Sequence, residues 1–143
     1  MRLLASRFRS FAALAAAAWC SAAAAEAPEL GLTVAGSAVV RDGDTLEVVP
    51  DDPASPATAV RLWGIDAPER GAAGGRESRL ALVRLIARRL VVCREVRGQR
   101  DRYGRMVGLC RAGGEDLAAA LVAAGWARDW PKYSGGYYGE SGE

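Results

Sequence analysis

The chain has 143 residues, of which 50% are hydrophobic and 25% are charged, so it is long enough for one globular domain and is not wholly disordered. It contains no histidine, which excludes a Ser-His-Asp hydrolase, a Cys-His protease and a zinc site with histidine ligands. Acid–base chemistry must therefore use carboxylates. Arginine is the expected partner of anions, because Lys132 is the only lysine among 19 basic residues.

The first 25 residues have the pattern of an export signal. Three arginines within the first nine residues precede the apolar run Phe11–Trp19, and an Ala-x-Ala site at 23–25 predicts cleavage before Glu26. This order predicts a Sec-type signal peptide over 1–25 and a periplasmic or secreted protein with no membrane attachment after cleavage. An alanine-rich helix packed on the domain is the alternative.

Removal of residues 1–25 changes the charge of the chain. It takes away three arginines and no acid, which leaves 16 basic and 17 acidic side chains in 118 residues. Attraction to nucleic acid must then come from local clustering, and the segment Arg76–Arg105 holds ten arginines and three acids. A solvated helix face explains part of this cluster equally well.

Five strands and two helices are predicted after a short polar leader at 26–31. The strands are Leu32–Arg41, Thr45–Val49, Thr58–Ile65, Leu90–Val96 and Arg105–Arg111. The helices are Arg76–Arg89, with an apolar stripe at Leu80, Val83 and Ile86 or Ala87, and Glu115–Ala124, with Leu117, Leu121 and Val122 inward.

The order of these elements indicates a mostly β domain over 32–138, followed by a flexible tail at 139–143. Five short strands, with one helix after the third strand and one after the fifth, fit a five-stranded OB-type Greek-key barrel. An α+β sandwich has the same pattern, and periodicity does not separate the two folds.

Two cysteines remain after signal cleavage, Cys93 and Cys110. They fall on two predicted strands joined by the loop 97–104, and export to an oxidising compartment favours a disulfide between them. Two buried free thiols are the alternative. Neither cysteine is expected to be catalytic, because no histidine can activate a thiol.

Three charged clusters lie where predicted strands meet loops, which is where a rigid barrel carries its functional sites. They are Val40–Thr45, Arg61–Arg70 and Asp101–Arg105. Each alone has an ordinary explanation, namely a turn, a surface ion pair and a solvated hairpin tip. Together they contain the groups that metal-assisted phosphodiester hydrolysis requires.

Each of these groups has a plausible chemical role. A hard divalent cation needs oxygen ligands, which Asp44 and Asp66 supply together with a backbone carbonyl just after Asp66. Glu69 is close enough in sequence to hold a water for in-line attack. Arg61 and Arg105 are expected to clamp the phosphate and stabilise the charge that develops on its oxygens.

The motifs DGDT, RLWGIDAPE and DRYGR, followed by Gly125-Trp126-Ala127 at a helix end, are together similar to the thermonuclease (staphylococcal nuclease-like) family. The resemblance implies an OB-type barrel and a hydrolase that cleaves single-stranded DNA and RNA with calcium. Asp44 and Asp66 resemble the family's calcium ligands. Glu69 resembles its general base. Arg61 and Arg105 resemble its phosphate-binding pair.

Further positions follow from the same resemblance. Ala67 stands where the family commonly has threonine, and the family uses the main-chain carbonyl there as a ligand. Asp42 and Thr45 resemble outer partners of the metal site. Tyr103 resembles a residue near the nucleotide phosphate, and Arg102 beside it is expected to bind nucleic acid.

An aromatic segment follows the second predicted helix. Its aromatic residues, around Lys132, are Trp130, Tyr133, Tyr137 and Tyr138. They are expected to stack bases, with core or tail packing as the alternative, which is equally favoured for Trp130. The family continues into a last helix, whereas this sequence ends at Glu143, which predicts reduced stability.

The leading functional prediction is a monomeric, calcium-dependent nuclease. A catalytically silent OB-type module that binds nucleic acid or a protein is the alternative, and the intact set of acids and arginines argues against it. An envelope accessory role in polysaccharide export is a third interpretation, although no separate sugar-site carboxylate pair is evident.

Overall fold

The computed structural model describes residues 25–139, so the predicted signal peptide and tail lie almost entirely outside the described residues. Within that range, no helix is both long enough and apolar enough to cross a membrane. The elements are β1 (Leu30–Asp42), β2 (Thr45–Val49), β3 (Thr58–Leu62), β4 (Ile65–Asp66), α1 (Gly75–Ile86), β5 (Val91–Arg100), β6 (Met106–Ala112), β7 (Glu115–Asp116), α2 (Leu117–Ala123), β8 (Arg128–Asp129) and α3 (Pro131–Ser134).

Five strands close into a barrel. Antiparallel pairing gives the order β3-β2-β1-β5-β6, and a parallel pairing of β3 with β6 closes the sheet. In that closing pair Val60 lies opposite Met106 and Leu62 opposite Gly108, with all three apolar side chains buried. Closure removes the free edges of the sheet. The predicted five-stranded OB-type barrel is therefore confirmed.

Strand β1 belongs to two faces of the barrel. Its first half, up to Gly36, pairs with β5, and its second half, from Ser37, pairs with β2. A Cβ at Gly36 would lie 2.0 Å from the carbonyl oxygen of Val49, so only glycine allows the close approach at this bend. The strand thereby carries Asp42 and the turn after it to one end of the barrel.

Several predicted boundaries were wrong, among them the end of the first helix, which is Ile86 rather than Arg89 because Ala87 and Arg88 adopt positive φ. The third strand ends at Leu62, because Gly64 adopts a positive φ of 74° in a turn before β4. Strand β5 continues to Arg100, so half of the predicted loop 97–104 is strand. The second helix begins at Leu117, since Asp116 caps it by accepting hydrogen bonds from two backbone N–H groups.

The predicted apolar stripe of the first helix was wrong in part, because only Ile86 of its members is buried. Val83 is exposed and Leu80 is only half-buried, whereas Ser78, Leu82 and Ile86 face the barrel. Serine occupies the inward row because Ser78 Oγ donates a hydrogen bond to the carbonyl of Trp126 at 2.8 Å. The inward stripe predicted for the second helix is confirmed, with Leu117, Leu121 and Val122 all buried.

The segment after α2 is fastened to the barrel by an aromatic cluster. Tyr138 is 2% exposed and packs edge-on against Trp63 and Tyr137. Burial raises the pKa of the Tyr138 hydroxyl well above its ordinary value, and the nearby Asp116 carboxylate raises it further. Strand β8 and helix α3 are thus held beside β4, near the loop ends of the barrel.

A disulfide joins β5 to β6. Cys93 and Cys110 lie directly opposite each other in the ladder, with their Cα atoms 4.0 Å apart, and the structure bonds their sulfurs. Both residues are fully buried in the core. The bridge therefore holds the two strands that lead into and out of the Asp101–Arg105 loop.

Candidate active site

Asp44 lies in the tight turn between β1 and β2. A Cβ on the preceding Gly43 would lie 2.0 Å from Ser78 Oγ, so the turn packs directly on helix α1. This packing leaves Asp44 only 9% exposed. The sequence Asp-Gly-Asp-Thr is therefore a turn, as its composition predicts, and it carries a buried carboxylate.

The Asp44 carboxylate has partners for both oxygens. Its Oδ1 accepts a hydrogen bond from Thr45 Oγ1 at 3.1 Å, and its Oδ2 accepts one from the backbone N–H of Ala67 at 3.0 Å. Arg61 Nη2 lies 3.1 Å from the same Oδ2. Burial of a charged carboxylate is costly unless hydrogen bonds and a counter-charge compensate, and these contacts provide both.

Arg61 connects the two acids that the sequence predicts as metal ligands. On β3 it alternates with buried Val60 and Leu62, so its side chain leaves the barrel core. Its Nη2 lies 3.1 Å from Asp44 Oδ2 and 3.9 Å from Asp66 Oδ1. Because both oxygens are close to one nitrogen, they are at most about 7 Å apart. Both carboxylates therefore lie next to the Arg61 guanidinium.

Asp66 occupies the two-residue strand β4. It lies opposite Arg128 in the pairing with β8, and Arg128 Nη2 is 3.1 Å from Asp66 Oδ2. The two oxygens of Asp66 are thus divided between Arg61 and Arg128. In contrast to Asp44, this carboxylate is about one-third exposed, so it is accessible to a ligand.

Arg105 is positioned by the loop before β6. Its Nε is hydrogen-bonded to Asp101, which also accepts hydrogen bonds from the backbone N–H groups of Tyr103 and Arg105, each at 2.9 Å. Partial burial raises the pKa of Asp101, but these hydrogen bonds and the Arg105 charge outweigh it and hold the pKa below its ordinary value. Arg105 Nη1 in turn donates to Thr45 Oγ1 at 3.1 Å.

These contacts form one continuous network across the barrel end. In order along the network, its members are Asp101, Arg105, Thr45, Asp44, Arg61, Asp66 and Arg128. The residues come from four separate parts of the sequence. The two predicted ligand acids and the two predicted phosphate-binding arginines are therefore brought together.

Glu69 lies beside this network and is exposed. Its carbonyl is fixed by a hydrogen bond from the N–H of Ala72 at 2.9 Å and by Gly75, where a Cβ would lie 1.9 Å from that oxygen. Together with Asp66 it lines an open cavity of about 520 Å³. The Glu69 carboxylate thus reaches solvent next to Asp66, one of the two acids beside Arg61.

Two further predicted residues differ in their surroundings. Thr45 is a direct partner of Asp44, as an outer residue of the site would be. Asp42, however, accepts a hydrogen bond from Arg70 Nε at 3.1 Å, so it buttresses the loop that carries Glu69. Its contact with the site is therefore through that loop.

The predicted nucleic-acid contacts lie at two exposed places. Tyr103 is 67% exposed at the hairpin tip, with the guanidinium carbons of Arg102 and Arg105 at 4.7 and 5.2 Å from its ring centroid. Trp130 and Tyr133 are exposed on and next to α3 and pack edge to face at 4.6 Å, with Lys132 Nζ at 5.4 Å from the Tyr133 ring. Tyr103 and Arg102 adjoin Arg105. The aromatic pair Trp130 and Tyr133 lies on the segment that packs beside β4.

The donor set can be tested for its fit to a metal ion. Between residues 25 and 139, no group of three or more His, Cys, Asp or Glu side chains is arranged to hold one. Two neighbouring carboxylates, one of them accessible, fit a hard cation that completes its coordination with water and carbonyl oxygens. They do not fit a closed all-protein site or a soft metal.

Sequence reasoning missed three members of the site. Asp101 is the first residue of the motif DRYGR, and the sequence predicts no role for it, although it positions Arg105. Arg70 and Arg128 were not singled out, and their partners Asp42 and Asp66 lie 28 and 62 residues away. Arg128 meets Asp66 only through the pairing of two-residue strands, which are too short to produce a recognisable alternation.

A family model described as staphylococcal nuclease homologue matches residues 59–140 of the chain. The matched range includes Arg61, Asp66, Glu69 and Arg105, and it begins after the turn that carries Asp44. More than half of the chain is therefore similar to this family.

Individual proteins are similar over much of the same range. An uncharacterized endonuclease of Escherichia coli O157:H7 is 38% identical over 96 residues, which is 66% of this chain and 60% of that protein. The succinoglycan biosynthesis protein ExoI of Rhizobium meliloti (strain 1021) is 40% identical over 117 residues, 73% of this chain and 56% of that protein. The probable staphylococcal-like nuclease CAN4 of Oryza sativa subsp. japonica is 42% identical over 74 residues. The chain spans at most 60% of the length of these relatives.

Proposed function

Because the chain belongs to the staphylococcal nuclease homologue family, we propose that it is a nuclease that uses calcium to hydrolyse phosphodiester bonds in single-stranded DNA and RNA. The observation that carries the proposal is that Asp44 and Asp66 both lie next to Arg61, with Glu69 beside Asp66 at the cavity. A silent binding module has no need of two neighbouring carboxylates and an exposed third.

In this proposal Asp44 and Asp66 hold the cation. Bound there, calcium would neutralise charge on the phosphate and lower the barrier to attack by water. Calcium affinity is expected to be weak, about 10⁻⁴–10⁻³ M, because only two protein carboxylates contribute. The proposed carbonyl ligand is that of Ala67, whose N–H already donates to Asp44.

Glu69 is proposed as the general base. It accepts a proton from water as the water oxygen forms a bond to phosphorus and the bond from phosphorus to the leaving sugar oxygen breaks. The leaving oxygen then takes a proton from solvent. Since Glu69 is exposed and lines the cavity with Asp66, a water between its carboxylate and a bound phosphate is sterically reasonable.

Arg61 and Arg105 are proposed to bind the phosphate under attack. Arg61 is held in place by hydrogen bonds to the carbonyls of Leu62 and Ile65, and Arg105 is held by Asp101 and Thr45. Such preorganised donors stabilise charge that develops in the transition state more effectively than mobile ones.

Single-stranded substrates are proposed because the exposed aromatic groups offer stacking surfaces without base-edge readout. Trp130 and Tyr133, with Tyr103 near Arg105, present aromatic area to solvent, and base stacking contributes ~1–3 kcal/mol per base. The chain is further proposed to act as an exported monomer in the periplasm or outside the cell. A disulfide is compatible with such a compartment.

The experiment is a nuclease assay on denatured DNA with millimolar calcium, repeated with excess chelator. A circular dichroism melt of each sample checks that the protein is folded. We expect degradation with calcium and none with chelator. A folded protein that binds the DNA but never cleaves it would favour the catalytically silent module.

A further inference from the structure

The cavity beside Glu69 is formed by two short segments that face each other. One wall is residues 66–69 and the other is residues 125–128, and the space between them is about 520 Å³. The wall 125–128 is fixed because Ser78 Oγ donates to the Trp126 carbonyl at 2.8 Å and Trp126 N–H donates to the Leu121 carbonyl at 2.9 Å. The wall 66–69 is held by the Ala67 N–H, which donates to Asp44 Oδ2 at 3.0 Å. The cavity has the size of a small-ligand site, ~300–1,000 Å³.

The cavity walls carry more acidic than basic side chains. Asp66 and Glu69 are acidic, and Arg128 is the only basic residue among the described residues that line the cavity. Arg61 and Arg105 contribute nothing to these walls. For a polyanionic strand that places its scissile phosphate next to Glu69, Arg128 is thus the one group of these walls with a charge that attracts a phosphate.

The Arg128 side chain is held by an ion pair and is still largely exposed to solvent. Its side chain is 82% exposed, and one nitrogen, Nη2, is 3.1 Å from Asp66 Oδ2. A guanidinium has five N–H donors in a rigid fork. The contact with Asp66 thus fixes the direction of the group, and its remaining donors can bind a phosphate without a rearrangement.

Trp126 supplies a second kind of surface to the same cavity. It is 38% exposed although its backbone is held from both sides. A large aromatic ring at a cavity wall can pack on a sugar or a base of any identity.

We propose that this cavity is a subsite for the nucleotide adjacent to the scissile phosphate. Arg128 binds the phosphate of that nucleotide, and Trp126 packs on its sugar or base. The inference rests on the proposed nuclease function and extends it with a second phosphate-binding position.

The test measures the salt dependence of binding. A fluorescein-labelled oligo(dT) of twelve nucleotides is titrated with protein by fluorescence anisotropy, in chelator, at several salt concentrations. Loss of one phosphate contact reduces the slope of log K against log[salt] by about 0.7 for single strands. We expect Arg128→Gln to show this reduction and Arg128→Lys to keep most of the wild-type slope.

Arg111→Gln is the matched control, because Arg111 is exposed on β6 and lies outside both the cavity walls and the arginine-rich segment 76–105. It removes the same charge and is expected to keep the slope. A second variant, Trp126→Leu, keeps an apolar side chain and is expected to weaken binding several-fold without changing the slope. Melting curves of all variants check that they fold.

The outcomes separate the subsite from the nuclease function. If wild type cleaves denatured DNA with calcium but Arg128→Gln and Arg111→Gln have equal slopes, the subsite is refuted and the nuclease function stands. If wild type neither binds nor cleaves, the proposed function fails and the subsite fails with it.

Discussion

Asp101 shows how a residue that touches no substrate can still set the geometry of the site. Its carboxylate accepts hydrogen bonds from Arg105 Nε and from two backbone N–H groups. It thereby fixes both the hairpin loop and the direction of the Arg105 side chain. Arg105 then reaches Thr45, which holds Asp44. A change at Asp101 is therefore expected to affect stability as well as the site.

Asp101→Asn is expected to lower the free energy of unfolding by about 1–3 kcal/mol at pH 7, because it removes a charged partner of Arg105. The folded-state pKa of Asp101 lies below its ordinary value of 3.8, so its contribution is fully present above that value. As the pH falls through the folded-state pKa, that contribution is lost. Urea unfolding of both proteins from pH 7 down to pH 3 measures the difference. A difference that stays constant over this range would contradict the account.

Individual site residues could be predicted where a motif contains them. Asp44, Asp66 and Arg61 lie in strand-to-turn sequences whose composition already indicates a turn or a strand end. Arg128 could not be predicted, because its contact with Asp66 depends on how the chain after α2 returns to β4. Such a contact between distant segments leaves no local pattern in the sequence.

At the scale of elements, strands β5 and β6 carry the loop that presents Arg105. The Cys93–Cys110 bridge joins them near the middle of their ladder and closes a loop with a sequence separation of 17 residues. Closing a loop of this size restricts the unfolded chain and stabilises the folded state by about 3 kcal/mol.

The double variant Cys93→Ala/Cys110→Ala is expected to unfold with a free energy about 3 kcal/mol lower than that of the oxidised wild type. Wild type unfolded in the presence of a reductant is the control, because it loses the bridge but keeps both sulfurs in the core. Equal stability of oxidised and reduced wild type would mean that the sulfurs are not bonded in the protein.

Strand alternation and turn residues sufficed to predict four of the five barrel strands in approximate position. The third strand was predicted too long, because Trp63 and Ile65 are buried in a turn and in β4 and so extend the apolar pattern past Leu62. The inward face of the first helix was predicted correctly only at Ile86, since Ser78 is buried by a hydrogen bond to another segment and shifts the buried row. In both places tertiary packing overrides the local pattern.

At the scale of the whole molecule, the site and the fold are expected to be coupled through calcium. Asp44 and Asp66 are close only in the folded state, so a cation that binds both must stabilise it. At about 10 mM calcium and the proposed affinity, the stabilisation is about 1.4–2.7 kcal/mol.

Calcium is therefore expected to raise the melting temperature of wild type by several degrees and that of Asp66→Asn by much less. Asp51→Asn, which removes the same charge from an exposed loop, is the matched control and is expected to respond as wild type does. An equal response of wild type and Asp66→Asn would place the calcium elsewhere.

The order of the elements fits a closed barrel and an α+β sandwich equally, and the family resemblance favours the barrel. The proposed function depends on the few side chains gathered at one end. That dependence is tested most directly by Glu69→Gln, assayed for cleavage of denatured DNA in calcium and for binding of labelled oligo(dT) in chelator. Because Glu69 is exposed, the substitution is expected to leave folding unchanged. We predict a fall in cleavage rate of about 10²–10⁴-fold with little change in the dissociation constant. Unchanged cleavage, or equal losses in cleavage and binding, would contradict the assignment of Glu69 as the base.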